Sequence, residues 1–530
     1  MDEGGREMLK LEELIPAEQY NLTEEMEKYA SERTALKWRD DEGHREEVSY
    51  NELIERGNKL ANSFKKLGLQ KGDRVLVMVP RLVEAYVTYF ACLKSGLVII
   101  PSSEMLRAKD LQYRIKHAEA KAIIAYKPYC KEIDMVKDVE TLEHKLVIGG
   151  EYGEWTDMVA LTKEMSSSFD AVKTSKNDIA FLSYTSGTTG QPKGVVHSHG
   201  WAYAHLRIAG GEWLDISEKD IVWATAGPGW QKWVWSPFLS VLGRGATGFV
   251  YHGRFEPKQY LQLLQDEKIN VLCCTPTEYR LMAKIDELES YNLSSLHSAV
   301  SAGEALNEEV INTFKKYFNL QVRDGYGQTE STLLIGTLKG VPHKAGSMGK
   351  PMIPQFIEIV DDNGEACEPG EVGNIAVHKD LPSLFKTYYK DPERTASAYK
   401  GDYFLTGDRA SKDEENYYWF EGRSDDIIIS SGYTIGPFEV EDALMKHPAV
   451  KECAVVASPD EIRGNVVKAF IVPRTSVDNE EELIKELQNH VKRLTAPYKY
   501  PRRIQFVDDL PKTNSGKIRR VELRQQEVGK

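Results

Sequence analysis

A chain of 530 residues is long enough for about three or four folding units, and 41% apolar with 28% charged residues excludes a disordered, collagenous or membrane-embedded class. The balance of 68 Lys+Arg against 81 Asp+Glu leaves −13, so the molecule as a whole repels polyanions and non-specific nucleic-acid binding is excluded; any anion site has to be local. No run approaches the ~18 apolar residues that span a bilayer, the opening Met1-Asp2-Glu3-Gly4-Gly5-Arg6 lacks a signal-peptide pattern, and the six cysteines form no C-x-x-C, so a cytoplasmic protein with buried, reduced thiols is expected.

From about residue 48 to 130 an amphipathic helical stretch, Tyr50 to Leu69, alternates with β-rich runs, Arg74 to Val79 and Leu97 to Ile100, predicting α/β layers around a largely parallel sheet. A polar patch from Lys163 to Asp178 reads as a linker, and Ile179 to Leu182 as the next strand. Beyond about residue 345 short strands alternate with Gly/Pro turns, predicting a small β-barrel or twisted sheet, and an α+β pattern follows after about 425. Residues 491 to 530 carry eleven Lys/Arg against four Asp/Glu, a basic end on an acidic protein.

Directly after the Ile179 strand, and before a stretch read as helical, comes Tyr184-Thr185-Ser186-Gly187-Thr188-Thr189-Gly190-Gln191-Pro192-Lys193-Gly194. Glycines let backbone N–H groups converge on an anion, hydroxyls add donors and the lysine neutralises charge, so the composition suits a phosphate-cradling loop. It is not a Walker A loop, because Gly194 follows Lys193 where Ser or Thr would be required.

This loop resembles the phosphate-binding signature of the acyl-adenylate-forming superfamily, which includes acyl-CoA synthetases, nonribosomal adenylation domains and luciferases. Further segments resemble that family in order. Ser301-Ala302-Gly303-Glu304-Ala305 is similar to its adenine segment, and Asp324-Gly325-Tyr326-Gly327-Gln328-Thr329-Glu330 to its α-phosphate and Mg2+ segment. Tyr403 to Asp408 is similar to the ribose segment, Gly422-Arg423-Ser424-Asp425-Asp426 to the interdomain hinge, and Pro511 to Lys517 to the catalytic-lysine loop. These segments span roughly residues 45 to 525, and with Ala496-Pro497-Tyr498-Lys499-Tyr500-Pro501-Arg502 the similarity is greatest to the AMP-forming medium-chain acyl-CoA synthetases.

The resemblance implies an N-terminal AMP-binding domain over 1–424, with subdomains of about 1–170, 171–340 and 341–424, and a mobile α+β C-terminal domain over 425–530. It implies MgATP and coenzyme A as substrates beside a carboxylic acid. Lys517, Thr329 and Glu330 would be catalytic, Glu330 also holding Mg2+. ATP would be bound by Thr185, Ser186, Gly187, Thr188, Thr189, Gly190 and Lys193, by Gly303, Glu304 and Ala305, by the run Asp324, Gly325, Tyr326, Gly327, Gln328 and Thr329, and by Asp408 and Arg423. Asp425 would be the hinge. CoA would meet Ser431, Gly432, Tyr433, Arg463, Tyr498, Lys499 and Tyr500. One departure weakens that last set: close relatives usually carry Arg after Gly-Tyr where this chain has Thr434, leaving Lys468 or another cation to replace it.

Six of the nine tryptophans fall between Trp201 and Trp235, and Trp230 and Trp233, with Gly327, are candidates for an acyl pocket. Acetate- and propionate-specific relatives put Trp at the position of Gly327, so glycine there implies room for a medium-chain, branched or aromatic acid, each buried CH2 adding ~0.8 kcal/mol. His197 and His199 are read as structural groups sharing a strand face, there being no third metal ligand. The expected activity is an AMP-forming acid–CoA ligase. Alternatives are loading of a carrier protein or another acceptor, a short-chain CoA ligase, and a nucleotide-binding switch without catalysis; a homodimer is open to any of them.

Overall fold

Alternating runs of β-branched residues and amphipathic helices build two parallel-type sheets in the first part of the computed structural model, which describes residues 9–185, 192–303, 306, 308–424, 426–430, 433–460, 464–495, 497–512 and 517–528. The chain divides into two compact units, one of residues 1–356 and 379–399, the other of residues 357–378 and 400–530.

In the first unit a seven-stranded sheet runs in the order Thr156–Asp157, His144–Ile148, Ala122–Tyr126, Arg74–Met78, Val98–Pro101, Ile179–Thr185 and Lys193–Ser198. All its pairs are parallel except the last, Ile179–Thr185 against Lys193–Ser198. The helix Tyr50–Lys66 forms where its periodicity places it. Ser49 caps it by accepting from Glu52 N at 3.1 Å, and Glu52 reciprocates. The adjoining helix Val83–Lys94 is buried almost all round. Gly57 is needed between these two helices, since a Cβ there would stand 2.4 Å from the Phe90 ring. A second, nine-stranded sheet includes Ser298–Ala302 beside Val322–Gly327, parallel, with Leu333–Gly336 returning antiparallel toward one edge.

The second unit begins with antiparallel strands Ile357–Val360, Gly373–His378, Tyr403–Lys412 and Tyr418–Arg423, neighbours in that order in a sheet. It continues into a three-stranded sheet of Val450–Asp460, Gly464–Pro473 and Arg503–Phe506, packed with the helices Pro437–Met445, Glu480–Leu494 and Arg520–Val528. All six cysteines are buried and unpaired, as their spacing leads one to expect. Among the described residues no helix is long and apolar enough to cross a membrane.

Candidate active site

The glycine-rich segment does not open a helix, as its sequence context suggested. Its described ends are paired antiparallel, Thr185 opposite Lys193 and Tyr184 opposite Gly194. The reason is local: Val195 and Val196 continue the β-branched run and pair with Ser183 and Leu182, and the helix starts only at His199, behind the Ser198 cap. His197 is therefore on a strand and His199 on the helix after it, not on one strand face. Ser186, Gly187, Thr188, Thr189, Gly190, Glu304, Ala305, Asp425, Ser431, Gly432 and Arg463 lie outside the described residues, as do the side chains of Tyr433 and Thr434.

Beyond this strand pair, chain 385–389 runs along the Lys193 strand. Val196 N donates to Thr387 O at 3.1 Å, Lys386 N to Val196 O at 2.9 Å and Tyr389 N to Gly194 O at 2.7 Å. The same strap reaches the acidic segment, where Phe385 N donates to Glu330 O at 2.7 Å. The Glu330 carboxylate, buried, thereby meets the strand pair: Lys193 Nζ is 2.5 Å from its Oε1, and the Tyr388 hydroxyl donates to the same oxygen at 2.9 Å. Lys193 Nζ also donates to the Tyr388 hydroxyl at 3.1 Å and stands 4.7 Å from the ring centroid. Burial, and next to it the Glu330 charge, pushes the Tyr388 phenol well above its ordinary range, so it stays a donor. A hard carboxylate oxygen beside a lysine at the base of a loop rich in phosphate-type donors matches Mg2+, which prefers one or two carboxylates plus phosphate oxygens.

The adenine and acidic segments also come together. Ser301 pairs with Asp324 and Ala302 with Gly325 on adjacent parallel strands, and Gly303 follows with φ +110. Asp324 is buried, and burial pushes its carboxyl up to about 7, against the lowering effect of bonds from Gly325 N, at 2.9 Å, and Leu306. Gly327 is required by the backbone itself, because a Cβ there would lie 2.2 Å from Thr332 O, next to a register shift between Tyr326 and Gly327. Its missing side chain is thus a condition of the 327–332 bend.

Beneath that bend three side chains at four-residue spacing hold it, two through its backbone and one through a side chain. His197 Nε2 donates to Thr329 O at 2.6 Å, Trp201 Nε1 to Ser331 O at 3.1 Å, and His205 bonds the Thr332 hydroxyl through Nδ1. His205 Nε2 faces Trp235 O at 2.9 Å, so Nε2 carries the proton and Nδ1 accepts. Burial pulls His197 and His205 down to about 3 and His199, whose Nδ1 accepts from Leu22 N at 3.1 Å, down to about 4. These neutral imidazoles set a pH response. Between pH 6.5 and about 4 the unfolded chain takes up three protons that the folded one does not, so stability is lost as pH falls; Asp324 opposes this, because folded it holds its proton up to about 7. Asp324→Asn is therefore expected to be more stable than the parent at pH 7 and to lose that margin by pH 4 to 5. Denaturant unfolding of both proteins across pH 5 to 7 checks this, and parallel profiles would contradict it.

Of the pocket candidates, Trp230 is 38% exposed, whereas Trp233 is 1% exposed, stacked on Phe238 at 5.6 Å and edge-on to Tyr86 and Tyr89. Trp213 packs against Gly325 and donates to Asp324 O at 3.1 Å. Sequence reasoning missed Tyr388, Trp201 and His205. The paired tyrosines before Asp391-Pro392 were the available signal for the first.

In the second unit Asp408 and Arg423 are direct cross-strand partners. Asp408 is buried and Arg423 exposed, with Thr406 Oγ1 accepting from Asp408 N at 3.2 Å and Ser424 N donating to Gly407 O at 2.8 Å. Lys499 is ion-paired with Glu439, and Tyr500 lies under Lys492 at 4.0 Å and Arg502 at 4.8 Å. Tyr498 is 38% exposed and Lys517 exposed. Lys468 does not supply the cation suggested to replace the arginine missing at Thr434. It is buried, bonding Glu527 at 2.7 Å and Gln505 at 2.8 Å, while Ser458 donates to the other Glu527 oxygen at 2.7 Å.

The first unit is thus an α/β fold in which Lys193, on an antiparallel strand at one edge of an otherwise parallel sheet, meets a buried glutamate. Residues 22–389 match the model of the AMP-binding enzyme family and residues 439–517 that of the AMP-binding enzyme C-terminal domain; the chain belongs to this family. It is 63% identical over 524 residues to an uncharacterized acyl–CoA ligase, YtcI, of Bacillus subtilis (strain 168), covering 98% of each chain. It is 43% identical over 519 residues to the mitochondrial acyl-coenzyme A synthetase ACSM3 of Rattus norvegicus, covering 96% of this chain and 89% of that one. Among solved structures, the anthranilate CoA ligase AuaEII in complex with anthranoyl-AMP matches with a TM-score of 0.90 at 28% identity, covering 98% of this chain and 99% of that one. A benzoate CoA ligase from Burkholderia xenovorans LB400 matches with 0.84 at 29%, covering 95% and 100%.

Proposed function

We propose that this enzyme is an AMP-forming acid–CoA ligase. The carboxylate of an acid attacks the α-phosphorus of ATP in line, the bond to the bridging oxygen breaks, and pyrophosphate leaves; the CoA thiolate then attacks the acyl carbonyl and AMP leaves. The observation that carries the reading is the buried Glu330 carboxylate 2.5 Å from Lys193 at the end of the glycine-rich segment. Membership of the AMP-binding enzyme family and the acyl-CoA ligase relatives support it.

Two anions have to meet before the first step, and the residues are assigned to offset that repulsion. Glu330 would hold Mg2+, whose charge on the phosphates lowers the cost of bringing a carboxylate to the α-phosphorus. Lys193 and the loop residues 185–190 cradle phosphate, Thr329 donates to it, and Lys517 places positive charge where negative charge builds in the transition state. The segment Gly303 to Ala305 is assigned to adenine, and Asp324 to Gln328 to the α-phosphate side of ATP. Asp408, a buried acceptor, takes the ribose hydroxyls and Arg423 supplies a planar cationic fork beside it. Rotation of 425–530 about Asp425 then withdraws Lys517 and brings residues 431–433, Arg463 and 498–500 to CoA, for which Lys499 exchanges Glu439 for phosphate. The cytoplasm, which supplies ATP and CoA, is the compartment this reading implies.

The acid is a medium-chain, branched or aromatic carboxylate. A pocket floor without a side chain at 327 favours it, as do the anthranilate and benzoate ligases among the structural relatives. Pyrophosphate release with MgATP over a C2 to C12 and aromatic acid panel, with and without CoA, tests both parts. Acyl-CoA and AMP with a maximum above C4 are expected. Acetate as the best acid would overturn the substrate class, and acyl-AMP persisting with CoA present would point to a different acceptor.

A further inference from the structure

The assignment above leaves one buried group of the site without a task, the Tyr388 hydroxyl. It is not part of the glycine-rich segment or of the acidic one, yet it touches both. It donates to Glu330 Oε1 at 2.9 Å and accepts from Lys193 Nζ at 3.1 Å, and Lys193 reaches the same Glu330 oxygen at 2.5 Å. The strap that carries Tyr388 is fixed at both ends of this triangle, by Phe385 N on Glu330 O and by Tyr389 N on Gly194 O. Tyr388 N is further tied to Thr395 Oγ1 at 3.0 Å, and its ring packs on Phe385 at 4.8 Å. The hydroxyl is thus held by backbone, while the lysine it meets is on a four-carbon stem and free to swing.

Before nucleotide arrives, Lys193 is the counter-ion of Glu330. A phosphate chain beside Lys193 is a stronger attractor for an ammonium than one carboxylate, and it would bring its own cation. Resting on the ATP-site reading, we propose that Tyr388 is a positioning residue for a partner exchange: Lys193 passes from Glu330 to phosphate, leaving Glu330 to hold the cation that MgATP would bring, and the Tyr388 hydroxyl keeps the carboxylate aimed throughout. A buried glutamate that lost one partner without this anchor would turn away from the incoming cation, so the hydroxyl acts on metal-dependent binding and not on nucleotide binding as such.

The test is calorimetric binding of a non-hydrolysable ATP analogue to the full chain at a series of Mg2+ concentrations, for the parent protein, Tyr388→Phe, Glu330→Gln and the double variant. Phenylalanine keeps the ring against Phe385 and the strap's backbone bonds, so the unfolding midpoint without ligand should move little. Tyr388→Phe is expected to raise the half-saturating Mg2+ roughly tenfold, the scale of one hydrogen bond to a charged group, while leaving analogue binding without Mg2+ unchanged. Glu330→Gln is expected to flatten the Mg2+ dependence, and adding Tyr388→Phe to it should change nothing further. An unaltered Mg2+ requirement in Tyr388→Phe, or effects of the two changes that simply add, would overturn the inference. Failure of the parent protein to bind the analogue at any Mg2+ would instead overturn the ATP-site reading itself.

Discussion

Lys517→Ala is expected to slow pyrophosphate release from MgATP and a good acid by about 10²- to 10³-fold, the scale seen when one preorganised donor to developing negative charge is removed. The side chain is exposed, on the short stretch where Ile518 bridges back to Lys512, so its truncation costs the fold little. The loss should therefore fall on the rate of adenylate formation, with the unfolding midpoint unchanged. Formation of acyl-CoA from supplied acyl-adenylate and CoA should persist within a few-fold, because the proposed rotation removes Lys517 from the site before the second step. Quench-flow measurement of the two half-reactions separates these effects. A rate of adenylation within twofold of the parent would remove Lys517 from the mechanism, and equal losses in both halves would argue against the rotation.

Lys468→Met is expected to destabilise the second unit by about 3–5 kcal/mol, the usual penalty for leaving one member of a buried ion pair without the other. Lys468 and Glu527 have side chains 7% and 4% exposed, and Ser458 donates to the remaining Glu527 oxygen while Arg503 donates to the Ser458 hydroxyl at 2.7 Å. The network ties the helix Arg520–Val528 to the strands Val450–Asp460 and Gly464–Pro473. Removing both charges, Lys468→Met with Glu527→Leu, should cost less than the single change, since no buried charge is then stranded. Amide exchange on those two strands reads the effect within the unit concerned. A single-variant loss under 1 kcal/mol, or a double variant worse than the single, would show that the pair is not the stabilising contact it resembles.

The chemistry was most legible where one short segment has to do one job. Three glycines, four hydroxyls and a lysine in eleven residues suit an anion loop, and the order of the later segments was enough to place the family. Hydrophobic periodicity likewise located the helix Tyr50–Lys66 and the strands Arg74–Met78 and Ile179–Thr185. Reading a helix after the loop failed at Lys193–Ser198, because six residues containing two valines satisfy either pattern and pairing with Ile179–Thr185 decides between them. Lys468, offered as one cation that could stand in for the arginine absent at Thr434, is instead taken up by the distant Glu527, a pairing that makes its burial tolerable and that no local pattern shows.

By itself, then, the sequence determined the family and with it the class of chemistry, since motifs of Gly, Thr, Lys and Glu in that order and spacing are local features of the chain. Only the tertiary structure decided what supports them. Tyr388 meets Lys193 across 195 positions and Glu330 across 58, and His197, Trp201 and His205 hold a bend about 130 positions downstream. Such contacts leave no trace in spacing, because they depend on which sheet edge the 385–389 strap joins and on which helix face lies under residues 329–332. The same enclosure that makes them possible lifts the Asp324 carboxyl and keeps the imidazoles neutral, a consequence of burial that no local pattern encodes.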